Sequence, residues 1–239
     1  MERLTVDRST KWLLGLNLGG FVLVHLLGYI GLGIEWLGFK LPSPWPWTPL
    51  TYMFSQGAII ELLFNMLFLW CFCRLFMLVG TPKQLITSYV AGGLGGALIF
   101  ALAWAAGFTP GGPLLGASAA VIGIAVCASF IAPNYGVNLL LLGRVTLRAV
   151  AIITVAFSLL PFLEHNPGGG WAHIGGVFAG TACGLAMKHG FMPRYSHRSI
   201  KKTDELMTLD SLLDKIKRSG YGSLNAAERR RLIELSKEL

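Results

Sequence analysis

The chain contains the stretch Gly168-Gly-Gly-Trp-Ala-His-Ile-Gly-Gly-Val-Phe-Ala-Gly-Thr-Ala-Cys-Gly184, an apolar run with glycine at every fourth position from Gly176 onward. Residues four apart share one face of a helix, so Gly176, Gly180 and Gly184 predict a smooth stripe. Small residues of this kind let two helix backbones approach closely in a membrane. The stretch therefore predicts a membrane-spanning helix that packs against a neighbour and carries one polar side chain, His173, near its beginning.

Similar apolar runs fill most of the chain. Of its 239 residues, 54% are hydrophobic and only 13% are charged, whereas about a quarter of the residues in a soluble domain are charged. A helix that crosses the hydrocarbon layer needs roughly 20 apolar residues. The fold class that we predict is an all-α membrane protein with six transmembrane helices. These helices are expected at about 12–38, 58–78, 84–106, 114–132, 145–162 and 170–188.

The distribution of basic residues predicts the orientation in the membrane. If the N-terminus is inside, Lys40 is the only one of the 20 lysines and arginines in an outer loop. Cytoplasmic loops collect such residues, which also explains the net charge of +8 without a nucleic-acid partner. We therefore expect a cytoplasmic arm at 1–11, a six-helix membrane domain at 12–190 and a cytoplasmic helical tail at 191–239.

The first apolar stretch and the loop after it admit simple interpretations. The stretch from Trp12 to Phe39 is too long for the core of a signal peptide, so we expect a retained helix. In the loop that follows, the rings of Trp45, Trp47 and Tyr52 suit the lipid headgroup region. An ordinary aromatic belt and a role in admitting substrate both remain open for this loop.

The cysteines and the tail suggest no metal or cofactor site. Each of the four cysteines lies in an apolar run without metal-binding spacing, so we expect no metal, no cofactor and no disulfide. In the tail, apolar residues recur at helical spacing from Leu206 to Ile216, and Ser219–Gly222 interrupts the pattern. Asn225 followed by Glu228 is typical of a capping box that opens a second helix.

Ser118 and His173 are the residues best placed for chemistry. Ser118 lies five residues beyond Pro113, and His173 five residues beyond Gly168, so each is expected roughly 8 Å along its helix. Gly123, like the alanines beside Ser118, would let the two helices approach. A Ser–His hydrogen bond would then activate Ser118 as a nucleophile, with His173 as the general base. The alternatives are a serine bonded to its own helix and a histidine that merely bridges two helices.

Asn65 and Glu61 lie four residues apart on the second predicted helix and so share one face. An Asn amide can donate to the oxyanion of an acyl-transfer transition state, together with the backbone N–H of Ser118. A hydrogen bond between helices is the alternative role for Asn65. We set Ser158 aside as a nucleophile because no histidine stands at a matched position.

Four further features of the sequence are the motifs Thr51-Tyr-Met-Phe, Leu62-Leu-Phe-Asn-Met-Leu-Phe-Leu-Trp, Gly116-Ala-Ser and Ala172-His-Ile-Gly-Gly. With these motifs, residues 12–190 resemble the rhomboid family, and the tail segment Leu213–Leu224 resembles one found on many bacterial rhomboids. The resemblance implies a six-helix rhomboid-like bundle in the bacterial inner membrane and a serine endopeptidase that cuts transmembrane substrates near their outer ends. It implies Ser118 as nucleophile, His173 as base, and an oxyanion hole formed by Asn65 and the Ser118 N–H, with Gly116 in the same loop.

The sequence departs from the family near this site. Glu61 stands where the family usually has a histidine that helps to hold the oxyanion, and Gln56 replaces a second common histidine. An ionised Glu61 would repel the developing charge, whereas a protonated one, which an apolar setting favours, could donate. Glu61 is therefore an additional candidate for oxyanion stabilisation. These departures favour an alternative function, in which a weak or inactive rhomboid-like protein binds transmembrane clients. A third possibility is a small transporter or lipid-binding protein.

The expected partners follow from the favoured function. They are transmembrane-helix protein substrates and the lipid bilayer, and the sequence leaves the oligomeric state undetermined. We expect a substrate helix to enter between the second and fifth membrane helices.

Overall fold

The structure is a computed structural model that describes residues 7–41, 45–139, 143–163, 165–190, 209–225, 228–229 and 232–233. The chain divides into two compact units, Met1–Arg194 and Tyr195–Leu239. Parts of the predicted N-terminal arm and of the tail, including residues 1–6 and 191–208, lie outside the described residues.

The described part of the first unit is predominantly helical. A short antiparallel hairpin, in which Val137 pairs with Val145, joins two of its helices, so the all-α prediction is wrong at this one place. A 3-10 turn spans Tyr52–Phe54. The helices and strands are α1 (Arg8–Gly28), α2 (Gly33–Leu37), α3 (Thr48–Thr51), α4 (Ile59–Met77), α5 (Pro82–Ala105), α6 (Ser118–Ile131), β1 (Gly136–Leu139), β2 (Gly143–Thr146), α7 (Leu147–Phe157), α8 (Leu160–Leu163) and α9 (Pro167–Lys188).

The outer helices carry large apolar side chains on their exposed surfaces. In the described residues, α1, α4 and α5 are long and apolar enough to cross a membrane, while α6 and the segment Leu147–Leu163 are apolar but shorter. Side chains such as Leu16, Phe64 and Ile153 are about half exposed. Apolar surface of this extent is rare on soluble monomers and suits contact with lipid.

Helix α6 lies at the centre of the bundle. It contacts α4, α5, α7 and α9, and every residue from Ala119 to Ser129 is buried. The close approach predicted for its glycine-lined neighbour is confirmed. A Cβ atom added at Gly180 would lie 2.7 Å from the Gly123 carbonyl oxygen, and one at Gly184 would lie 2.9 Å from that of Cys127. Only glycine allows such contact between backbones, so this stripe holds α9 directly on α6.

The prediction of one continuous first helix at 12–38 is wrong. Helix α1 ends at Gly28, and α2 begins at Gly33 after a turn. Gly31 in this turn has a φ of +76°, a left-handed conformation that glycine adopts without a steric penalty and that commonly ends helices. The apolar pattern alone does not mark this break, because the residues on both sides of it are equally apolar.

The prediction that the fourth helix begins near residue 114 is also wrong. Phe39 and Leu114 exchange two backbone hydrogen bonds of 3.0 and 2.8 Å, so the chain before α6 is extended. The Gly116 N–H donates to the Ser55 carbonyl at 2.7 Å, and Gly116 has a φ of +107°. Ser118 is consequently the first residue of α6, and the expected depth of 8 Å along the helix does not apply to it.

The aromatic residues of the first loop differ from one another. The rings of Trp45 and Trp47 stack with centroids 4.8 Å apart. Tyr52, which we expected in the headgroup region, is instead buried, and its hydroxyl donates to the Gly93 carbonyl at 2.6 Å. This bond ties the 3-10 turn to α5.

The described part of the second unit contains α10 (Leu209–Ser219) and a 3-10 turn at Tyr221–Ser223. The predicted capping box is confirmed. The Asn225 N–H donates to the Glu228 carboxylate at 2.8 Å, and the Glu228 N–H donates to Asn225 Oδ1 at 2.9 Å. Lys215 on α10 lies 2.7 Å from the same carboxylate and, by donating to it, holds the pKa of Glu228 below its usual value.

Candidate active site

The structure brings Ser118 and His173 into hydrogen-bonding contact. Ser118 Oγ lies 2.7 Å from His173 Nε2. Ser118 opens α6, and His173 lies in the second turn of α9. The contact is possible because Gly176, one turn beyond His173, lies against the carbonyl group of Ala119, so no side chain separates the two helices at this level.

The other ring nitrogen of His173 determines the direction of this hydrogen bond. His173 Nδ1 lies 3.1 Å from the backbone carbonyl oxygen of Ser158, at the C-terminal end of α7. A carbonyl can only accept, so Nδ1 carries the hydrogen of the neutral ring. Nε2 is then the acceptor, and the Ser118 hydroxyl donates to it, as a general base requires.

The sequence did not predict that Ser158 holds the His173 ring. We considered only its hydroxyl, whereas the group that holds His173 is its backbone carbonyl. Every residue has a carbonyl, so the residue type carries no signal. The nearest indication is Pro161, three residues further on, because proline cannot continue a helix and the last carbonyls of a helix have no intrahelical partner.

Two donors face the region next to Ser118. The first is the Ser118 N–H, because the first N–H groups of an α-helix have no intrahelical partner and lie at the positive end of the helix dipole. The second is the Asn65 amide on α4. Its Nδ2 lies 3.7 Å from where a Cβ of Gly116 would be, so it faces the loop that leads into Ser118.

Gly116 and Glu61 form the other wall of this region. The Gly116 N–H is engaged by the Ser55 carbonyl, so Gly116 supports the loop conformation and is not a free donor. One carboxyl oxygen of Glu61 accepts from the Gly57 N–H at 3.3 Å. The other lies where a Cβ of Gly116 would clash with it. The carboxyl group is thus directed towards the loop before Ser118.

Two cavities meet at the Ser118–His173 pair. The first has a volume of about 390 Å³ and is lined by both residues together with Asn65 and Glu61. The second has a volume of about 370 Å³, extends between α4 and α7 and is lined mainly by apolar side chains. The arrangement therefore offers a polar pocket for a reacting carbonyl and an apolar groove that leads to it. The groove is lined on α4 by Phe64, Phe68 and Phe72 and on α7 by Val150, Ile153, Thr154 and Phe157.

Other serines satisfy their hydroxyls locally. Ser88 Oγ donates to the Gln84 carbonyl, and Ser129 Oγ to the Val126 carbonyl, each at 2.7 Å within its own helix. This is the usual behaviour of serine in a membrane helix, and the bond from Ser118 to His173 differs from it. Among the described residues, no group of three or more His, Cys, Asp or Glu side chains could hold a metal ion.

The fold and the site define a membrane-embedded helical protein with a paired serine and histidine. A family model described as the Rhomboid domain matches residues 44–189, more than half of the chain. The chain belongs to the rhomboid family. Residues 194–238 match a family of unknown function (DUF6576). Comparisons with curated proteins and with solved structures gave no significant match.

Proposed function

We propose that the protein is an intramembrane serine endopeptidase that cleaves transmembrane-helix substrates near their outer ends. The observation that carries the proposal is the 2.7 Å contact between Ser118 Oγ and His173 Nε2. The bond from His173 Nδ1 to the Ser158 carbonyl gives the imidazole the tautomer of a general base.

The reaction proceeds in two stages, acylation of Ser118 and hydrolysis of the acyl-enzyme. His173 Nε2 takes the hydroxyl proton while Ser118 Oγ attacks the carbonyl carbon of a peptide bond. The tetrahedral oxyanion accepts hydrogen bonds from the Ser118 N–H and from Asn65. The imidazolium then protonates the leaving amine, which leaves an acyl-enzyme. Water, deprotonated by the same imidazole, hydrolyses the ester and restores the hydroxyl.

Among the described residues, the contacts of the His173 ring are with the Ser118 hydroxyl and a backbone carbonyl, and not with a carboxylate. His173 Nδ1 bonds to a backbone carbonyl among the described residues, and this dipole orients the ring and favours the imidazolium that forms. The site needs no metal and no cofactor for this chemistry. Its reactants are the peptide and water alone.

The substrate helix enters through the groove between α4 and α7. The groove is lined mainly by apolar side chains and reaches both Ser118 and His173, which suits a transmembrane segment. A peptide bond inside a helix is shielded, so the segment must unwind locally before attack. Substrates with Gly, Pro or β-branched residues near the cleavage site are favoured because these residues weaken helices.

The proposed location is the bacterial inner membrane, with several crossings and both termini cytoplasmic. The placement of 19 of the 20 basic residues outside the outer loops supports this orientation. Ser118 then lies near the outer face, and the partners are the bilayer and transmembrane proteins, with no nucleic acid.

The test uses the full chain reconstituted in lipid vesicles with a model transmembrane substrate. The parent should cleave the substrate, and a fluorophosphonate probe should label Ser118. Ser118→Ala should abolish both signals. Ser129→Ala is the matched control, because its hydroxyl bonds only within α6, and it should behave as the parent. A parent that neither cleaves any substrate nor reacts with the probe would overturn the proposal.

One observation favours the second candidate, a weakly active or inactive protein that binds transmembrane clients. The Glu61 carboxyl is directed at the loop before Ser118, where an ionised group would oppose an oxyanion. In this case Ser118→Ala would keep full client binding and full biological activity. A loss of biological activity in Ser118→Ala with client binding unchanged would exclude it.

A further inference from the structure

A chain of buried side-chain amides leads away from Asn65. Asn65 Nδ2 donates to Gln56 Oε1 at 2.7 Å, and Gln56 Nε2 donates to Asn17 Oδ1 at 3.1 Å. Asn17 and Gln56 are completely buried, and Asn65 is 8% exposed. We call Asn17, Gln56 and Asn65 the amide relay. It connects α1, the segment before α4 and α4 itself.

The far end of the amide relay fixes its direction. Asn17 Nδ2 lies 2.9 Å from the Leu13 carbonyl oxygen and 2.9 Å from the Tyr89 hydroxyl. The Tyr89 hydroxyl donates to the Met53 carbonyl at 2.8 Å, so its oxygen accepts from Asn17. Both N–H groups of Asn17 are therefore used as donors, and its Oδ1 is left to accept from Gln56.

The same matching of donors and acceptors determines the orientation of the Asn65 amide. Because Gln56 uses its NH2 group towards Asn17, it presents its carbonyl oxygen to Asn65. That oxygen can only accept, so Asn65 must present its NH2 group and not its own oxygen. A buried amide turned the other way would set two oxygens against each other, which is costly in a low dielectric. One N–H of Asn65 is used by Gln56, and the second is available to the cavity beside Ser118.

We propose that Gln56 and Asn17 are positioning residues that hold the Asn65 amide so that an N–H, and not its oxygen, faces the oxyanion. This inference rests on the proposed protease function. It gives Gln56 a role distinct from contact with the substrate, since Gln56 acts only through Asn65.

The test compares two replacements of Gln56 in the reconstituted full chain. Gln56→Met keeps the length of the side chain but removes both hydrogen bonds. Gln56→His keeps one donor and one acceptor, and so preserves the direction of the amide relay. Because removal of a whole oxyanion donor lowers kcat by about 100- to 1000-fold, we expect Gln56→Met to lower kcat by about tenfold with little change in KM. Gln56→His should recover most of this loss.

A double-mutant cycle separates positioning from general support of the fold. If Gln56 acts through Asn65, the double variant Gln56→Met/Asn65→Ala should be no slower than Asn65→Ala alone. If Gln56 only supports the fold, the losses of kcat in the two single variants should add in the double variant. The fraction of protein that the fluorophosphonate probe labels should then fall together with kcat. Tyr89→Phe, which removes a single hydroxyl from the far end, is the milder second variant. As a single variant, Tyr89→Phe should lower kcat slightly. Combined with Asn65→Ala, it should cause no further decrease in kcat.

The outcomes distinguish this inference from the proposed function. If the parent is labelled by fluorophosphonate but the losses of Gln56→Met and Asn65→Ala add, the positioning role is wrong and the protease function stands. Equal activity of Gln56→His and Gln56→Met would refute the role in the same way. If the parent is neither labelled nor active, the proposed function fails and the inference fails with it.

Discussion

Gly176 on α9 lies directly against the carbonyl group of Ala119 on α6. Gly176 is three residues beyond His173, and Ala119 follows Ser118. A close contact between the two helix backbones therefore lies next to the Ser118–His173 pair. Packing and site geometry depend on each other here, because any atom added at Gly176 must separate the same two helices that bring the hydroxyl and the imidazole together.

Gly176→Val should for this reason damage both stability and activity. Overpacking of a tight interior costs about 1–3 kcal/mol, so the thermal midpoint should fall and the labelling of Ser118 should be lost or greatly slowed. Ala182→Val on the same helix is the control, because Ala182 is exposed and should tolerate the change. Thermal unfolding in detergent and fluorophosphonate labelling measure the two effects. Full labelling of Gly176→Val would show that the pair does not need this contact.

Ser158→Ala should have almost no effect on cleavage. The Ser158 hydroxyl donates to the Val155 carbonyl at 2.6 Å within α7, and the group that holds His173 is the backbone carbonyl, which the substitution retains. We expect kcat/KM within about twofold of the parent, in contrast to His173→Ala, which should abolish activity. The assay is cleavage of the model substrate by both variants. A large loss in Ser158→Ala would mean that the hydroxyl itself takes part.

The glycine pattern was the most informative part of the sequence. Spacing of Gly176, Gly180 and Gly184 predicts the close contact of α9 with a neighbour, because a helix has a regular period. The start of α6 at Ser118 was not predictable in this way, since it depends on backbone hydrogen bonds that Leu114 and Gly116 form with Phe39 and Ser55, which are distant in the sequence. The role of the backbone carbonyl of Ser158 has no signal in the residue type, because every residue carries a carbonyl.

Gln56 shows a second limit on what the sequence alone can predict. Its residue type differs from the histidine that the family commonly has, and this difference, together with Glu61, suggested a weakened site. In the structure it accepts from Asn65 and donates towards Asn17, which are two functions that one neutral histidine can also perform. What matters at this position is a donor and an acceptor in one buried side chain, and this requirement becomes visible only when both partners are known.

Glu61→Gln should raise the activity. A carboxylate beside the oxyanion opposes the developing charge, whereas a Gln side chain of the same size cannot ionise and can donate an N–H. Because one oxyanion donor contributes about 100-fold or more, we expect a gain of about tenfold. Glu61→His should also be faster than the parent.

Measurement of kcat for the parent and both Glu61 variants between pH 6 and pH 9 tests this effect. The control is Glu35→Gln, because Glu35 pairs with Lys40 and does not line either cavity at the Ser118–His173 pair. If Glu61→Gln is slower than the parent at every pH, the carboxyl group must be a required donor or acceptor, and its proposed unfavourable effect is wrong.

The groove between α4 and α7 leads to a prediction about substrate size. Ile153 lines this groove, whereas its neighbour Ile152 lines a different cavity, between α6, α7 and α9. Ile153→Trp should fill the groove and hinder entry of a transmembrane helix. If this obstruction costs about 1–3 kcal/mol, cleavage of the model substrate should fall by about fivefold or more. The small fluorophosphonate probe needs no helix-sized entrance, so labelling of Ser118 should continue at the rate of the parent.

Ile152→Trp is the matched control for this experiment, since it makes the same substitution one residue away. Cleavage and labelling by Ile152→Trp should both resemble those of the parent. Equal loss of cleavage in the two variants would indicate a general effect of tryptophan on α7. Loss of labelling together with cleavage in Ile153→Trp would mean that the site itself is disturbed. Only the separation of the two readouts in Ile153→Trp, with neither changed in Ile152→Trp, supports entry between α4 and α7.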